Sequence, residues 1–337
     1  MNSIKLKRVE MYKVALQPVA PLVAAHGTIG ERPIIVVRVW DADGNYGWGE
    51  CIAQPKPGYL SETVESAWKA LHAGVIPAAM SRDFENPDKL SEYLAVAMRQ
   101  TPVAVAAVEM AAWDMIARRQ GRSLSNLFGG TRTNIPAGRT LGLPPSGDRL
   151  STMVDQARRD GYQRIKIKIE PSRALSLASE AVSAAAGTPV VADANGSLSP
   201  LEVQKMRELD AVNLAWIEQP YPAASLRASS ELRDTLVTPV ALDESVSSIN
   251  ALDRLIHMNA AAGISLKPGR LGGYGPSLQA YRTAKAAGLH LWIGGMLETG
   301  IGRAHSLALA SMSGFDFPGD MSPSKVYWEQ DLLTEPI

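Results

Sequence analysis

Five runs decide the fold: RIKIKIEP at 164–171, VADAN at 191–195, WIEQP at 216–220, ALDES at 241–245 and ISLKPG at 264–269. Each is a short stretch rich in apolar and β-forming residues, and each is followed by an alanine- and leucine-rich amphipathic segment. Working outward, the same alternation extends back to AGRTLGL at 137–143 and forward to LHLWIGGM at 289–296 and a weaker FDFPGD at 315–320. Eight strands separated by helices imply parallel pairing, and an α/β fold closed into a (β/α)8-type barrel is the natural solution for that count.

Near the C-terminal end of each of the five runs stands one charged residue: Lys168, Asp193, Glu218, Asp243 and Lys267, at spacings of 25, 25, 25 and 24 residues. That is one β/α unit per step. Parallel strands of a barrel end on the same face, so these side chains converge on the mouth, where active sites of this architecture are built. Three carboxylates from neighbouring strands make a hard, all-oxygen site that suits Mg²⁺, whereas zinc recruits His or Cys. The two lysines flank the carboxylate arc and face whatever the metal holds from opposite sides. A lysine is a poor base at its ordinary pKa of about 10.4. Lys166, on the same strand face as Lys168, and Arg270, three residues after Lys267, are the expected sources of like-charge repulsion that loosens a proton. Any one of these charges alone reads as a strand-end salt bridge. The near-constant spacing and the sign order plus, minus, minus, minus, plus argue against that for the set.

Residues 1–128 read as an α+β capping domain. MNSIKLKRVEMY, PIIVVRVW, the turn DADGN and YGWGE form an antiparallel meander. Between its strands, residues 17–33 have no period and read as a lid loop; residues 53–62 read as a second. The pattern then turns helical, most clearly in TPVAVAAVEMAAWDMIARRQ at 101–120, and stops at Phe128-Gly129-Gly130, the expected boundary with a barrel over 129–325. His26 in the first loop and Tyr59 in the second read as ordinary loop and packing residues, with contact to a substrate carboxylate the alternative for His26.

Bulk properties exclude several function classes. The 34 basic and 34 acidic residues of the 337 cancel, and no Lys/Arg stripe breaks the balance, which argues against a nucleic-acid or anionic-membrane partner. No apolar run approaches the roughly 20 residues that span a bilayer. The single Cys51 forms no internal disulfide, and no zinc framework is present, which fits a reducing cytoplasm. The expected partner is a small molecule. No G-x-S-x-G elbow and no full G-x-G-x-x-G occur, so serine hydrolase and dinucleotide chemistry lack support.

At the lysines and carboxylates the chain resembles the enolase superfamily, in its muconate-lactonizing subgroup, and most closely the o-succinylbenzoate synthase/N-succinylamino acid racemase family. The resemblance runs through the Lys-x-Lys of KIKIEP, DAN at 193–195, IEQP at 217–220, LDES at 242–245, KPGRLGGY at 267–274, GGMLETGIGRA at 294–304 and PGD at 318–320, with WGE at 48–50 in the cap. It implies a modified TIM barrel under a capping domain whose two loops close over substrate. It also implies Asp193, Glu218 and Asp243 as Mg²⁺ ligands, with Mn²⁺ as a substitute, and Lys168 and Lys267 as the acid/base pair. Lys166 becomes a supporting lysine, Asn195 and Glu244 polar groups behind the ligands, Gly295 and Met296 part of the substrate pocket, and Arg270 the arginine associated with members that racemise as well as dehydrate. Thr140 stands where a serine is usual, and Leu198 where an aromatic residue often follows DAN. Residues 326–337 read as a shortened return to the cap, the sequence being either truncated or lacking that return. A homo-oligomer, dimer or octamer, is a further implication.

The chemistry so implied is removal of the proton α to a carboxylate, giving an enediolate that Mg²⁺ stabilises. Dehydration in menaquinone biosynthesis, with racemisation of N-succinylamino acids beside it, is the leading expectation. A dipeptide epimerase is a rival that resembles this chain, but its Asp-x-Asp on the last strand is missing where Asp316 is followed by Pro318. A muconate-type cycloisomerase needs the same groups. A non-catalytic binding barrel is the alternative of another class, against which the two intact opposed lysines argue.

Overall fold

The computed structural model describes residues 3–20, 22–24, 27–144, 149–335 and 337. In the amino-terminal part, β1 (Arg8–Leu16), β4 (Arg32–Trp40) and β5 (Tyr46–Cys51) form an antiparallel sheet in the order β1-β4-β5. The turn into β5 is set by Asp41, whose Oδ1 accepts from the backbone N–H of Asp43 and of Asn45, both at 2.9 Å. Within residues 17–33, β2 (Leu22–Ala24) and β3 (Gly27–Ile29) pair as a short antiparallel ribbon. This ribbon lies within the stretch read as a lid loop, since main-chain pairing needs no hydrophobic alternation to occur.

The long helix Pro102–Arg119 is buried from Val103 to Trp113, because the cap sheet lies on one side of it and the barrel on the other. Its alanines and the glycines of YGWGE serve the same contact. A Cβ at Gly47 would overlap Ala111 O, and one at Gly49 would overlap Ala107 O, so helix and strand backbones touch directly. The helix of residues 124–127 closes after Phe128, where Gly129 takes a φ of 72° and the Gly130 N–H returns to Ser125 O at 2.8 Å.

Seven parallel strands follow in sequential order: β6 (Gly138–Leu141), β7 (Arg164–Lys168), β8 (Val190–Asp193), β9 (Trp216–Glu218), β10 (Val240–Leu242), β11 (Gly263–Leu266) and β12 (His290–Ile293). The eighth expected strand, FDFPGD, is not one. Phe317–Asp320 closes the ring through single bonds: Phe317 N–H to Leu291 O at 3.4 Å, Asp320 N–H to Ile293 O at 2.8 Å, and Gly138 N–H to Gly319 O at 2.7 Å. Pro318 has no N–H to donate, which prevents a continuous ladder. The architecture is a modified TIM barrel with a capping unit, as expected.

Alternate residues of the barrel strands point inward. Val191, Trp216, Ala241 and Trp292 fill the lower interior, with Phe317 packed against them. One period further along the same strands stand Asp193, Glu218 and Asp243, so the apolar layer forms a floor beneath them. Past the barrel, the chain runs back along the cap, where Val19 N–H bonds Tyr327 O at 2.9 Å and Glu329 N–H bonds Gln17 O at 3.1 Å. No helix among the described residues is long and apolar enough to cross a membrane.

Candidate active site

Register brings the charged residues together. Lys168 on β7 pairs with Asp193 on β8, and Asp193 with Glu218 on β9, while Ala241, two residues before Asp243, pairs with Glu218. The three carboxylates are almost wholly buried at the barrel mouth. Lys168 Nζ donates to Asp193 Oδ2 and to Asn195 Oδ1, both at 2.7 Å, and Lys267 Nζ donates to Asp243 Oδ2 at 2.7 Å. The two lysines therefore hold the outer carboxylates of the arc. Both line a cavity of about 330 Å³ between the barrel mouth and the cap loops.

Lys166 and Lys168 do not face each other unshielded. Asp193 Oδ2 lies 2.7 Å from Lys168 Nζ and 3.5 Å from Lys166 Nζ, so one carboxylate serves both amines. Lys166 also reaches Asp320 Oδ2 at 2.8 Å and Glu218 Oε1 at 3.0 Å. Burial works against its charge, yet Asp320, Glu218 and Asp193 outweigh burial and raise its pKa well above that of an ordinary lysine. Lys166 is thus a fixed positive charge beneath the site. On the other side Arg270 donates to Asp243 Oδ1 at 2.7 Å, so Asp243 likewise stands between Arg270 and Lys267. Burial pushes Asp243 up, but Lys267 and Arg270 hold it below the usual carboxylate range. Glu218 goes the other way: burial, together with Asp193, Asp243 and Asp320, pushes it up to about 8 against the pull of Lys166.

The donor set fits a divalent cation in kind. Three carboxylates come from adjacent strand ends, and Glu218 Oε2 is buried without a hydrogen-bond partner. The set does not enclose an ion as it stands: among the described residues no three Asp, Glu, His or Cys groups converge closely enough. Asp193 and Asp243 are drawn onto their lysines instead.

The other anticipated residues lie around this centre. Asn195 takes a φ of 45°, uses its own N–H to hold Asp193 Oδ1 at 2.9 Å, and donates from Nδ2 to Glu244 Oε1 at 2.9 Å. Thr140 Oγ1 donates to Asp320 Oδ1 at 3.0 Å. Gly295 N–H donates to Asp320 Oδ2 at 3.1 Å, and Gly295 and Met296 line the cavity. His26 lies outside the described residues.

Three residues matter more than the sequence suggested. Tyr59 is not simple packing: its hydroxyl donates to Asp243 Oδ2 at 2.7 Å and accepts from Lys267 Nζ and, at 3.1 Å, from Arg270. Asp320 collects Thr140, Arg164, Lys166 and Gly295 N–H. Its signal was its phase, two β/α units beyond Lys267 in a run that breaks off at Pro318. Gln219 takes a φ of 38° and its Oε1 accepts from Asp243 N–H at 2.9 Å and Ser245 N–H at 3.2 Å, fixing the turn that aims Asp243. An uncharged side chain within IEQP carried no such signal. Asp316 is placed at the far end of the closing segment, where it accepts from Leu291 N–H at 3.1 Å. The acidic residue at the mouth is Asp320, and Ser322 follows it by two, so no Asp-x-Asp stands there either.

Residues 150–337 match the family model described as "Enolase C-terminal domain-like", and residues 8–129 match "Mandelate racemase / muconate lactonizing enzyme, N-terminal domain". The o-succinylbenzoate synthase of Bacillus subtilis is 36% identical over 99% of this chain and 90% of its own. The N-succinylamino acid racemase of Thermus thermophilus is 37% identical over 92% of this chain and 84% of its own. A solved enolase-superfamily member from Listeria innocua superposes with a TM-score of 0.94 at 29% identity, covering 98% of this chain and 89% of that one. Two carboxylate-bound lysines across a barrel mouth, a cap that closes the cavity, and near full-length relatives agree on one conclusion: the chain belongs to the enolase superfamily, in the mandelate racemase/muconate lactonizing enzyme family.

Proposed function

We propose that the chain, with residues 1–128 as cap and 129–325 as barrel, is a Mg²⁺-dependent enzyme that removes the proton α to a carboxylate. In this reading it is an o-succinylbenzoate synthase that also racemises N-succinylamino acids. The observation that carries the reading is the pair Lys168 and Lys267, each on an outer carboxylate of the same arc and both opening on one cavity. Relatives bearing both names, at 34–37% identity, supply the substrate class.

Asp193, Glu218 and Asp243 would hold the cation. When bound, it supplies positive charge against the negative charge that develops on the substrate carboxylate. For dehydration, the Lys168 amine takes the α-proton, and the ammonium so formed stands on the same side to protonate the departing β-hydroxyl, which leaves as water. Lys267 lies across the substrate plane as an ammonium that stabilises the enediolate. For racemisation one lysine takes the proton and the other returns one to the opposite face. Asn195 orients Lys168, and Tyr59 and Asp243 orient Lys267, so each amine is aimed before substrate arrives.

The test is product analysis in D₂O with Mg²⁺, offering the menaquinone precursor and a panel of N-succinylamino acids. Fast dehydration with slow amino acid exchange marks a synthase, and efficient inversion with α-deuteration marks a racemase. Absence of both turnover and exchange overturns the substrate class.

A further inference from the structure

Glu50, near the end of β5, is buried, yet it neither belongs to the reacting groups nor lines the cavity. Its carboxylate crosses from the cap to the barrel and sits on the N-terminus of the helix Gly300–Ala310. Oε1 accepts from Thr299 N–H at 3.1 Å, and Oε2 accepts from the Thr299 hydroxyl at 2.6 Å and from Gly302 N–H at 3.0 Å. The remaining N–H groups of that first turn are taken as well, Gly300 by Asp331 Oδ1 at 2.9 Å and Ile301 by Thr299 Oγ1 at 3.1 Å. Glycine makes room for the carboxylate: a Cβ at Gly302 would come within 2.9 Å of Glu50 Oε2.

This seat stands at a junction. On the barrel side, Thr299 ends a segment whose Gly295, Met296 and Leu297 line the cavity. Leu297 has a φ of 58°, which a leucine keeps only where its surroundings hold it. On the cap side, buried Arg32 donates to Ala53 O at 2.6 Å and to Ile52 O at 2.8 Å. Burial works against the Arg32 charge, and Glu50 and Glu298 support it. Arg32 lies at the end of residues 17–33 and Ala53 at the start of residues 53–62, so the roots of both cap loops are tied beside the strand end that carries Glu50.

From this we infer that Glu50 is a positioning residue: acting through Thr299, it sets the Gly295–Leu297 wall of the cavity against the roots of the cap loops. The same kind of contact recurs where Glu109, from the cap, accepts from Tyr274 and Gly275 N–H, both at 2.8 Å, at the start of the helix Tyr274–Ala286. Neither Glu109 nor these two partners line the cavity, which makes that contact the control. The inference rests on the proposed function only for the reaction whose rate is measured.

The experiment compares Glu50→Gln and Glu109→Gln with the wild type, as Mg²⁺-loaded full chains. Burial pushes both carboxyls up to about 7, so pH 8 is used, where each is largely ionised. In Glu50→Gln an amide NH₂ replaces one acceptor oxygen and faces a donor of Thr299 or Gly302. Hydrogen exchange without substrate should quicken about tenfold at residues 294–302 in Glu50→Gln, and not in Glu109→Gln. In turnover, Glu50→Gln should raise KM about tenfold with kcat within about threefold, because Lys168 and Lys267 keep their own carboxylates. Thr299→Val removes the hydroxyl from the barrel side, so it should raise KM by a smaller factor that does not add to the effect of Glu50→Gln. Should circular dichroism show Glu50→Gln unfolded, Thr299→Val decides, and an unchanged KM there overturns the inference. Unchanged exchange at 294–302, a loss confined to kcat, additive substitutions, or an equal KM shift in Glu109→Gln also overturns it. If the wild type turns over none of the proposed substrates, the proposed function fails, and the exchange comparison alone decides the role of Glu50.

Discussion

The Tyr59 hydroxyl donates to Asp243 Oδ2 at 2.7 Å, tying a cap loop to a carboxylate at the end of a barrel strand. Burial, with Asp243 and Glu244 beside it, raises the Tyr59 pKa well above the ordinary value, so the hydroxyl keeps its proton and remains a donor. Cap position and Lys267 position are therefore coupled through one phenol. Tyr59→Phe should lower kcat/KM by about tenfold and cost roughly 1–2 kcal/mol of stability. Steady-state kinetics and denaturant unfolding measure the two, and wild-type kinetics in the variant would remove Tyr59 from the site.

Lys267→Ala should reduce turnover by about 10²–10⁴-fold, the usual span for a general acid/base group, while Mg²⁺ still binds. Its lost positive charge sits on Asp243, so the acidic arc becomes more attractive to a cation. Kinetics with parallel Mg²⁺ calorimetry read this, and unchanged turnover sinks the two-lysine mechanism.

Mg²⁺ should raise the melting temperature, because a ligand held only by the folded arc stabilises the fold. Asp193→Asn should abolish that rise. Thermal unfolding with Mg²⁺ and with chelator decides it: a Mg²⁺-induced rise in the substituted protein identical to that of the wild type would move the metal elsewhere.

Glu109 supplies a pH dependence far from the chemistry. Burial pushes it up to about 7, although Ser91, the Gly275 and Tyr274 N–H groups and Trp113 pull it down. A carboxyl with a folded pKa above its unfolded value binds more protons folded than unfolded, so its contribution to stability falls as pH rises from about 4.5 to 7. Replacing it by a neutral isostere removes that fall. Relative to wild type, Glu109→Gln should gain up to about 3 kcal/mol between pH 4.5 and 8. Denaturant unfolding across that range checks it, and a pH-independent difference would mean that the carboxyl does not titrate there.

Gln219→Leu should cost about 2–4 kcal/mol, since it strands the Asp243 and Ser245 N–H groups without water to replace the lost acceptor. Chemical unfolding gives the number, and a cost below about 1 kcal/mol would show that the turn holds itself.

What was readable in the chain was whatever has a period. The repeat of about 25 residues through Lys168, Asp193, Glu218, Asp243 and Lys267 reflects one β/α unit, and parallel strands convert equal phase into a common mouth. The barrel and the five charged residues follow from that repeat, and the cap from the separate strand and helix patterns of residues 1–128. What only the tertiary structure decided lies where periodicity ends or charge is absent. Phe317–Asp320 closes the barrel without being a strand, because Pro318 interrupts the ladder, and only that closure brings the Asp320 carboxylate to Lys166. Tyr59 reaches Asp243 from a loop 184 residues away, and Gln219 aims Asp243 by hydrogen bonds that no hydropathy pattern records. Likewise the sequence placed Lys166 beside Lys168 as a repelling charge, but the fold put Asp193 between them. Local spacing determines which face a side chain takes; which partner it finds across that face depends on contacts between distant segments, which form when the barrel closes and, for Tyr59, when the cap packs on it.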